Sequence, residues 1–267
     1  INVVTILIIV VSGLGFLVWK DLMLAASRLY HREYPFRRVI QKLKLHTKLA
    51  LVMTVSLVVI GTVGIFCMEY SNPRTLGGMP VGEKWLAAMF QSVTTRTAGF
   101  LTIPQDRFLP QSQLLSCILM FIGGSPMGTA GGVKTITVAL LIVLVTSYIR
   151  GNHDTVVWGR KVVEENIRSA VVIFFFALTT ALTATILLVA VSGHPLLDCA
   201  YEIVSAVATV GLTRSLTSQL PAAGKIIVIL IMYMGRIGPI TLAVALGRRT
   251  RHVDADIQRP EQRILIG

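Results

Sequence analysis

Residues 121–145 read FIGGSPMGTAGGVKTITVALLIVLV and lie in one of the most apolar parts of the chain. Five glycines, a proline and a lysine crowd the first half of a segment otherwise suited to a membrane helix. As one helix, residues 111–150 would run about 60 Å, twice the hydrocarbon thickness of a bilayer. The segment must break, and Gly123, Gly124, Pro126, Gly128, Gly131 and Gly132 all disfavour continued helix. Non-helical backbone at that depth is tolerated only against protein or beside a water-filled path. A passive kink is one reading of the break; a flexible barrier across a path is another. A phosphate-binding loop is excluded, because Val133 separates Gly132 from Lys134 and no strand precedes.

The rest of the chain agrees with a bilayer. Of 267 residues, 54% are hydrophobic and 14% charged, with a mean hydropathy of +0.72. A soluble domain of this size needs a larger polar surface. Segments 1–24, 49–68, 170–191 and 226–246 are long and apolar enough to span, and 114–148 is apolar at both ends and broken in the middle. The expected fold is an all-α integral membrane protein. The chain opens inside an apolar segment and is read as the C-terminal part of a longer protein. Cys67, Cys117 and Cys199 sit in or beside apolar stretches without metal-ligand spacing, as buried small residues do.

Charge sets the expected orientation. Residues 20–48 carry eight Lys/Arg against two acids, 150–168 four against three, and 248–267 five against three. The connections on the other side balance to zero, so the first three segments are placed in the cytoplasm of a cell membrane. Arg96, Lys134 and Arg236 remain, in or beside the membrane, where charge is costly and usually functional. The basic balance thus describes topology and a pore, and nucleic-acid binding is not expected.

A repeat organises the chain. An offset of 112 places Thr97-Ala98-Gly99-Phe100 on Thr209-Val210-Gly211-Leu212, and Met120-Phe121-Ile122-Gly123 on Met232-Tyr233-Met234-Gly235. Ser12-Gly13-Leu14-Gly15 is a weaker third copy of Gly235-Arg236-Ile237-Gly238. Each full copy reads as a spanning helix (M1), a short helix with a loop (P), and a second spanning helix (M2). The short helices are expected over 81–94, after Pro80, and 196–208, after Pro195. The resulting division is 1–30 as a closing M2 helix, 31–48 as a basic loop, 49–150 as one M1–P–M2 unit with a broken M2, 151–168 as a loop, 169–247 as a second unit, and 248–267 as a tail.

The Thr-X-Gly stretches have the chemistry of a cation site. A dehydrated cation needs oxygens in place of water, and backbone carbonyls supply them without formal charge. Glycine admits the backbone shapes required, and the short helix directs its negative end at the ion. Expected filter residues are Thr97, Ala98 and Gly99 with Thr209, Val210 and Gly211. Gly123, Gly124, Ser125, Gly128, Thr129, Gly131, Gly132 and Lys134 form the expected gate. Arg236, equivalent to Gly124 by the offset, faces it; its charge could oppose cation flow or simply be satisfied within the bundle.

Taken together and in this order, SVTTRTAGFLT, FIGGSPMGTAGGVKT, ATVGLT and MGRIGPIT resemble the Ktr/Trk/HKT superfamily of K+ and Na+ transporters, closest to its KtrB branch. The resemblance runs almost end to end. It implies four M1–P–M2 units arranged as a pseudo-fourfold, K+-channel-like pore, a homodimer, and a cytosolic nucleotide-binding regulatory subunit of the KtrA type meeting loops such as 31–48 and 151–167. On that mapping the sequence holds the end of unit two and all of units three and four, so two filter quarters are missing. The implied activity is cation translocation, most simply K+ uptake with Na+ as a further ion, and no covalent cofactor. A nonconducting scaffold that binds a regulator and a secondary transporter of an organic solute remain the other readings. An enzyme is not expected: His31, His46, His153, His194 and His252 are dispersed, with no nucleophile–base or metal constellation.

Overall fold

The structure is a computed structural model, and it describes residues 1–31, 35–128, 130–151 and 154–238. Of the positions singled out above, Thr129, His153, His252 and residues 239–267 lie outside the described residues.

The chain begins with α1 (Asn2–Gly13) and α2 (Phe16–Tyr30), followed by a short α3 (Phe36–Lys42) and the long α4 (Leu45–Glu69). Next come the short α5 (Val81–Thr94), then α6 (Pro110–Phe121) and α7 (Thr135–Ile149). A two-stranded hairpin, β1 (Val156–Val157) and β2 (Arg160–Lys161), leads into α8 (Glu164–Ser192), α9 (Leu196–Val207) and α10 (Ala222–Ile237). Trp158 and Gly159 turn the hairpin with φ of 46° and 75°, the left-handed pair that a two-residue turn requires. At its base the Asp154 carboxylate accepts from Lys161 at 2.5 Å and raises the affinity of that amine for its proton.

Among the described residues two helices, α4 and α8, are long and apolar enough to cross a membrane, and α1 with α2 would make a third if counted as one bent span. Their outer faces carry Val52, Val55, Val59 and Ile60 on α4, and Phe175, Leu182, Ile186 and Leu187 on α8, all exposed. In water such faces would aggregate; against lipid they are at home. The opposite face of α8 is a seam of small residues, Ala170, Ala177, Ala181 and Ala184. Small side chains let neighbouring helices approach closely where lipid provides no hydrophobic drive.

The two units pack alike. Each short helix rests on the long helix before it, α5 on α4 and α9 on α8. Each also rests on an earlier helix, α5 on α1 and α9 on α6.

Segment 1–24 departs from the expected continuous span. It bends by 99° between α1 and α2. Gly15 has φ 79° and ψ 155°, a conformation essentially closed to residues with a Cβ. The backbone groups freed by the bend are not wasted: Gly13 O accepts from Ser125 N at 3.0 Å, and Phe16 N donates to Met127 O at 3.2 Å. The break in α1–α2 is thus the seat of the glycine-rich segment. The last helix, expected over 226–246, begins earlier, at Ala222, and its described part runs to Ile237 before Gly238 with φ 86° and ψ 140°; positions 239–246 lie outside the described residues. Gly15 and Gly238 hold matching positions in the repeat and nearly the same backbone shape. Hydropathy treats Gly15 as an ordinary member of an apolar run, so the break there was not expected.

Candidate permeation site

The C-terminal ends of α5 and α9 each release a Thr-X-Gly stretch. Thr97 and Gly99 have φ of 63° and 75°, and Thr209 and Gly211 have φ of 54° and 89°. Ala98 and Val210, between them, are not left-handed. In plain extended backbone successive carbonyls point to opposite sides; left-handed residues at alternate positions bring them toward one side. Threonine rarely takes this conformation, so its recurrence at the same repeat position marks a constraint.

The amides point back into the structure. Ala98 N and Gly99 N donate to Thr94 O at 3.2 and 3.4 Å, and Val210 N donates to Ser205 O at 2.9 Å. Thr94 Oγ1 ties off Phe100 O at 2.7 Å. Among the described residues, the carbonyls of Thr97, Ala98, Gly99, Thr209, Val210 and Gly211 accept no hydrogen bond. A row of carbonyls that no protein donor occupies, at the negative ends of two helices, is suited to cations. The two stretches are adjacent: a Cβ on Gly99 would fall 2.4 Å from Val210 O.

Next to them lies the break between α6 and α7. Its neck is closed by Val133 N to Phe121 O at 3.1 Å, Gly123 N to Val133 O at 2.9 Å and Thr135 N to Gly124 O at 3.1 Å. Ser125 Oγ and Thr135 Oγ1 add a buried contact at 3.2 Å. The segment is therefore a closed loop, not a bend in a continuing helix. One side of the loop touches the second Thr-X-Gly stretch. A Cβ on Gly131 would lie 2.2 Å from Thr209 Oγ1 and 2.6 Å from Ala208 O. The other side rests on the α1–α2 break, where a Cβ on Gly15 would lie 2.4 Å from Pro126 O. Glycine is needed at both positions for close approach. Lys134 Nζ folds back to donate to Ala130 O within the loop.

Two cavities flank this arrangement. One, of about 640 Å³, is lined by the loop with Lys134, His46, Asn166 and Arg236. The other, of about 410 Å³, is lined by Thr209 to Leu212, Glu202 and again Arg236. Arg236 therefore lines both cavities. Arg96 stands apart from this boundary: it is buried between α1 and α4, and its guanidinium donates to Thr54 O and Oγ1 at 3.3 and 3.4 Å.

Charges counted in the outer connections also gain a role. Arg214 donates to Gln105 O at 3.0 Å and Asp106 O at 2.9 Å, and pairs with Asp198 and Gln113 Oε1. Gln113 Nε2 reaches Asp198 Oδ1 at 2.9 Å, and Tyr201 OH reaches Gln105 Oε1 at 2.7 Å. Together these groups join the two units behind the Thr-X-Gly stretches. Hydropathy and charge counting offer no signal for them, since these bonds between the units join residues 85 to 109 positions apart.

The family model described as "TrkH: Cation transport protein" matches residues 1–251. The chain is similar to the Ktr system potassium uptake protein B of Bacillus subtilis (strain 168), 33% identical over 267 residues, covering 100% of this chain and 57% of that protein. The protein of the same name from Vibrio alginolyticus is 35% identical over 256 residues, covering 96% and 53%. The potassium/sodium uptake protein NtpJ of Enterococcus hirae is 33% identical over 264 residues, covering 97% and 56%. The chain thus spans about half the length of the curated relatives it matches. Among solved structures, the potassium transporter TrkH from Vibrio parahaemolyticus shares the fold, with a TM-score of 0.69 and 18% identity over 92% of this chain and 52% of that one.

Proposed function

The chain belongs to the TrkH cation transport protein family, and from that premise we propose that it forms part of a membrane transporter that takes up K+. Cations pass along the carbonyls of Thr97, Ala98 and Gly99 and of Thr209, Val210 and Gly211. One observation carries the reading: two stretches with matched left-handed residues lie side by side at helix ends, with no donor among the described residues on their carbonyls. The relatives named for potassium, and one for potassium and sodium, support K+ as the main ion with Na+ as a second transported or coupling ion.

The loop of residues 123–134 acts as the barrier, with Lys134 adding positive charge to one cavity and Arg236 to both. A barrier of this kind needs two arrangements of similar free energy, and backbone held by few bonds offers them. Segments 20–48, 150–168 and 248–267 face the cytoplasm, the complete pore is pseudo-fourfold, and the protein works as a homodimer with a regulatory subunit of the KtrA type. The full-length protein, reconstituted in liposomes with an imposed K+ gradient, should carry K+ faster than Na+. A purified, correctly inserted protein that carries neither ion would leave the scaffold reading in its place.

A further inference from the structure

Tyr201 connects the two Thr-X-Gly stretches through one side chain. It is fully buried on α9, in an apolar cluster with Val210 and Leu212, the two neighbours of Gly211. Its hydroxyl reaches out of that cluster and donates to Gln105 Oε1 at 2.7 Å, on the segment that follows Gly99.

Gln105 is held in one orientation to receive it. Its Nε2 donates to Ile103 O at 2.8 Å, and that carbonyl can only accept, which fixes the end of the amide that faces Tyr201. A reciprocal pair with Gln91 of α5, at 2.8 and 3.0 Å, uses the remaining capacity of the amide. Gln91 and Gln105 are both buried, and Gln91 lies three residues before Thr94, whose carbonyl receives Ala98 N and Gly99 N. The contacts therefore run from the flanks of Gly211, through Tyr201 and Gln105, to the helix end that holds Gly99.

The repeat does not account for this pair. The offset of 112 carries Tyr201 back to Met89, which has no hydroxyl, and Gln105 forward to Thr217. Phenylalanine at 201 would serve the apolar packing alone. Apolar surfaces slide past each other by small amounts at low cost, whereas a fully satisfied buried hydrogen-bond network specifies one arrangement. Discrimination between K+ and Na+ by carbonyls depends on how those carbonyls are held.

We propose that Tyr201 is a specificity-determining positioning residue. Through its hydroxyl on Gln105 it holds the two carbonyl rows in the relative placement that favours K+ over Na+. The proposal rests on the reading of the Thr-X-Gly stretches as the cation path and adds what tunes them. Both partners and both stretches belong to this chain, so the contact is complete without any further unit.

The test uses the full-length protein in liposomes, as wild type, Tyr201→Phe and Thr75→Val. Tyr201→Phe keeps the ring and removes only the donor, while Gln105 Oε1 still accepts from Gln91. It should insert and keep most of the maximal K+ flux. Its K+ preference over Na+ should fall about fivefold through a higher K+ KM, the size of effect that one hydrogen bond supplies. Thr75→Val removes a buried hydroxyl from Glu69 Oε2 in the outer connection and should lower the unfolding temperature at unchanged preference. Wild-type preference in Tyr201→Phe overturns the proposal. So does a loss of preference in both variants in proportion to their unfolding temperatures, which would make the effect a general loosening. If Tyr201→Phe fails to insert, Gln105→Leu, which removes the acceptor instead, decides by the same ratio. A wild type that carries no cation sinks the pathway reading itself; a selective wild type beside an equally selective Tyr201→Phe sinks this proposal alone.

Discussion

A side chain on Gly99 would collide with the carbonyl oxygen of Val210, 2.4 Å from where its Cβ would stand. The two Thr-X-Gly stretches therefore meet backbone to backbone. Gly99 is also left-handed, with φ 75°, which costs a residue with a Cβ about 1–2 kcal/mol before any clash is counted. In the full-length protein, Gly99→Ser should insert normally but lose K+ affinity and about tenfold of its K+ preference over Na+. Unchanged affinity and preference would remove these residues from the filter.

The loop is gripped by Gly15 on one side and by Thr209 on the other, through Gly131. Deleting residues 128–132 should raise maximal flux and weaken regulatory control, with K+ affinity changed much less. Gly15→Ala should act in the same direction, because its Cβ would push Pro126 off its seat. If both variants insert correctly and show wild-type flux and regulation, the segment is a kink and no more. If the deletion abolishes K+ selectivity while flux persists, the loop belongs to the filter.

Arg236 lines both the cavity beside the loop and the cavity beside the second Thr-X-Gly stretch. Arg236→Ala should increase K+ flux severalfold if its charge forms part of the barrier, and Arg236→Lys should remain near wild type. A fall in flux together with a lower unfolding temperature would mean that the arginine holds the bundle together instead.

Arg214 and Asp198 tie the units together, with side chains 16% and 30% exposed. Arg214→Ala would take from Asp198 its cationic partner, leaving it only the Gln113 amide. Removing one partner of a fully buried pair costs about 3–5 kcal/mol; partial solvent screening here brings the expected loss to about 2 kcal/mol. Thermal unfolding of the full-length protein would show it, and an unshifted midpoint would make the network dispensable.

Cysteines at 37–44 and 154–162 should react only with reagents that reach the cytoplasm. Those at 72–79 and 215–219 should react from outside. The opposite pattern would invert the proposed topology.

Much of the architecture was legible from the residues alone, because it depends on one-dimensional properties. Apolar length marks α4 and α8, and prolines at 80 and 195 precede the starts of the short helices α5 and α9. Glycine and proline density places the break between α6 and α7, since helix propensity is local. The recurrence of Thr-X-Gly at one offset singled out both candidate filter stretches before any contact was visible. Tertiary structure decided the rest. The bend at Gly15 exists because the loop docks there, and a hydropathy window passing over Leu14 and Gly15 sees only an apolar run. The left-handed threonines, the approach of Gly99 to Val210 and the reach of Tyr201 to Gln105 depend on which faces of distant helices meet. That choice is made by close packing and by the need to satisfy buried donors and acceptors, neither of which has a period along the chain.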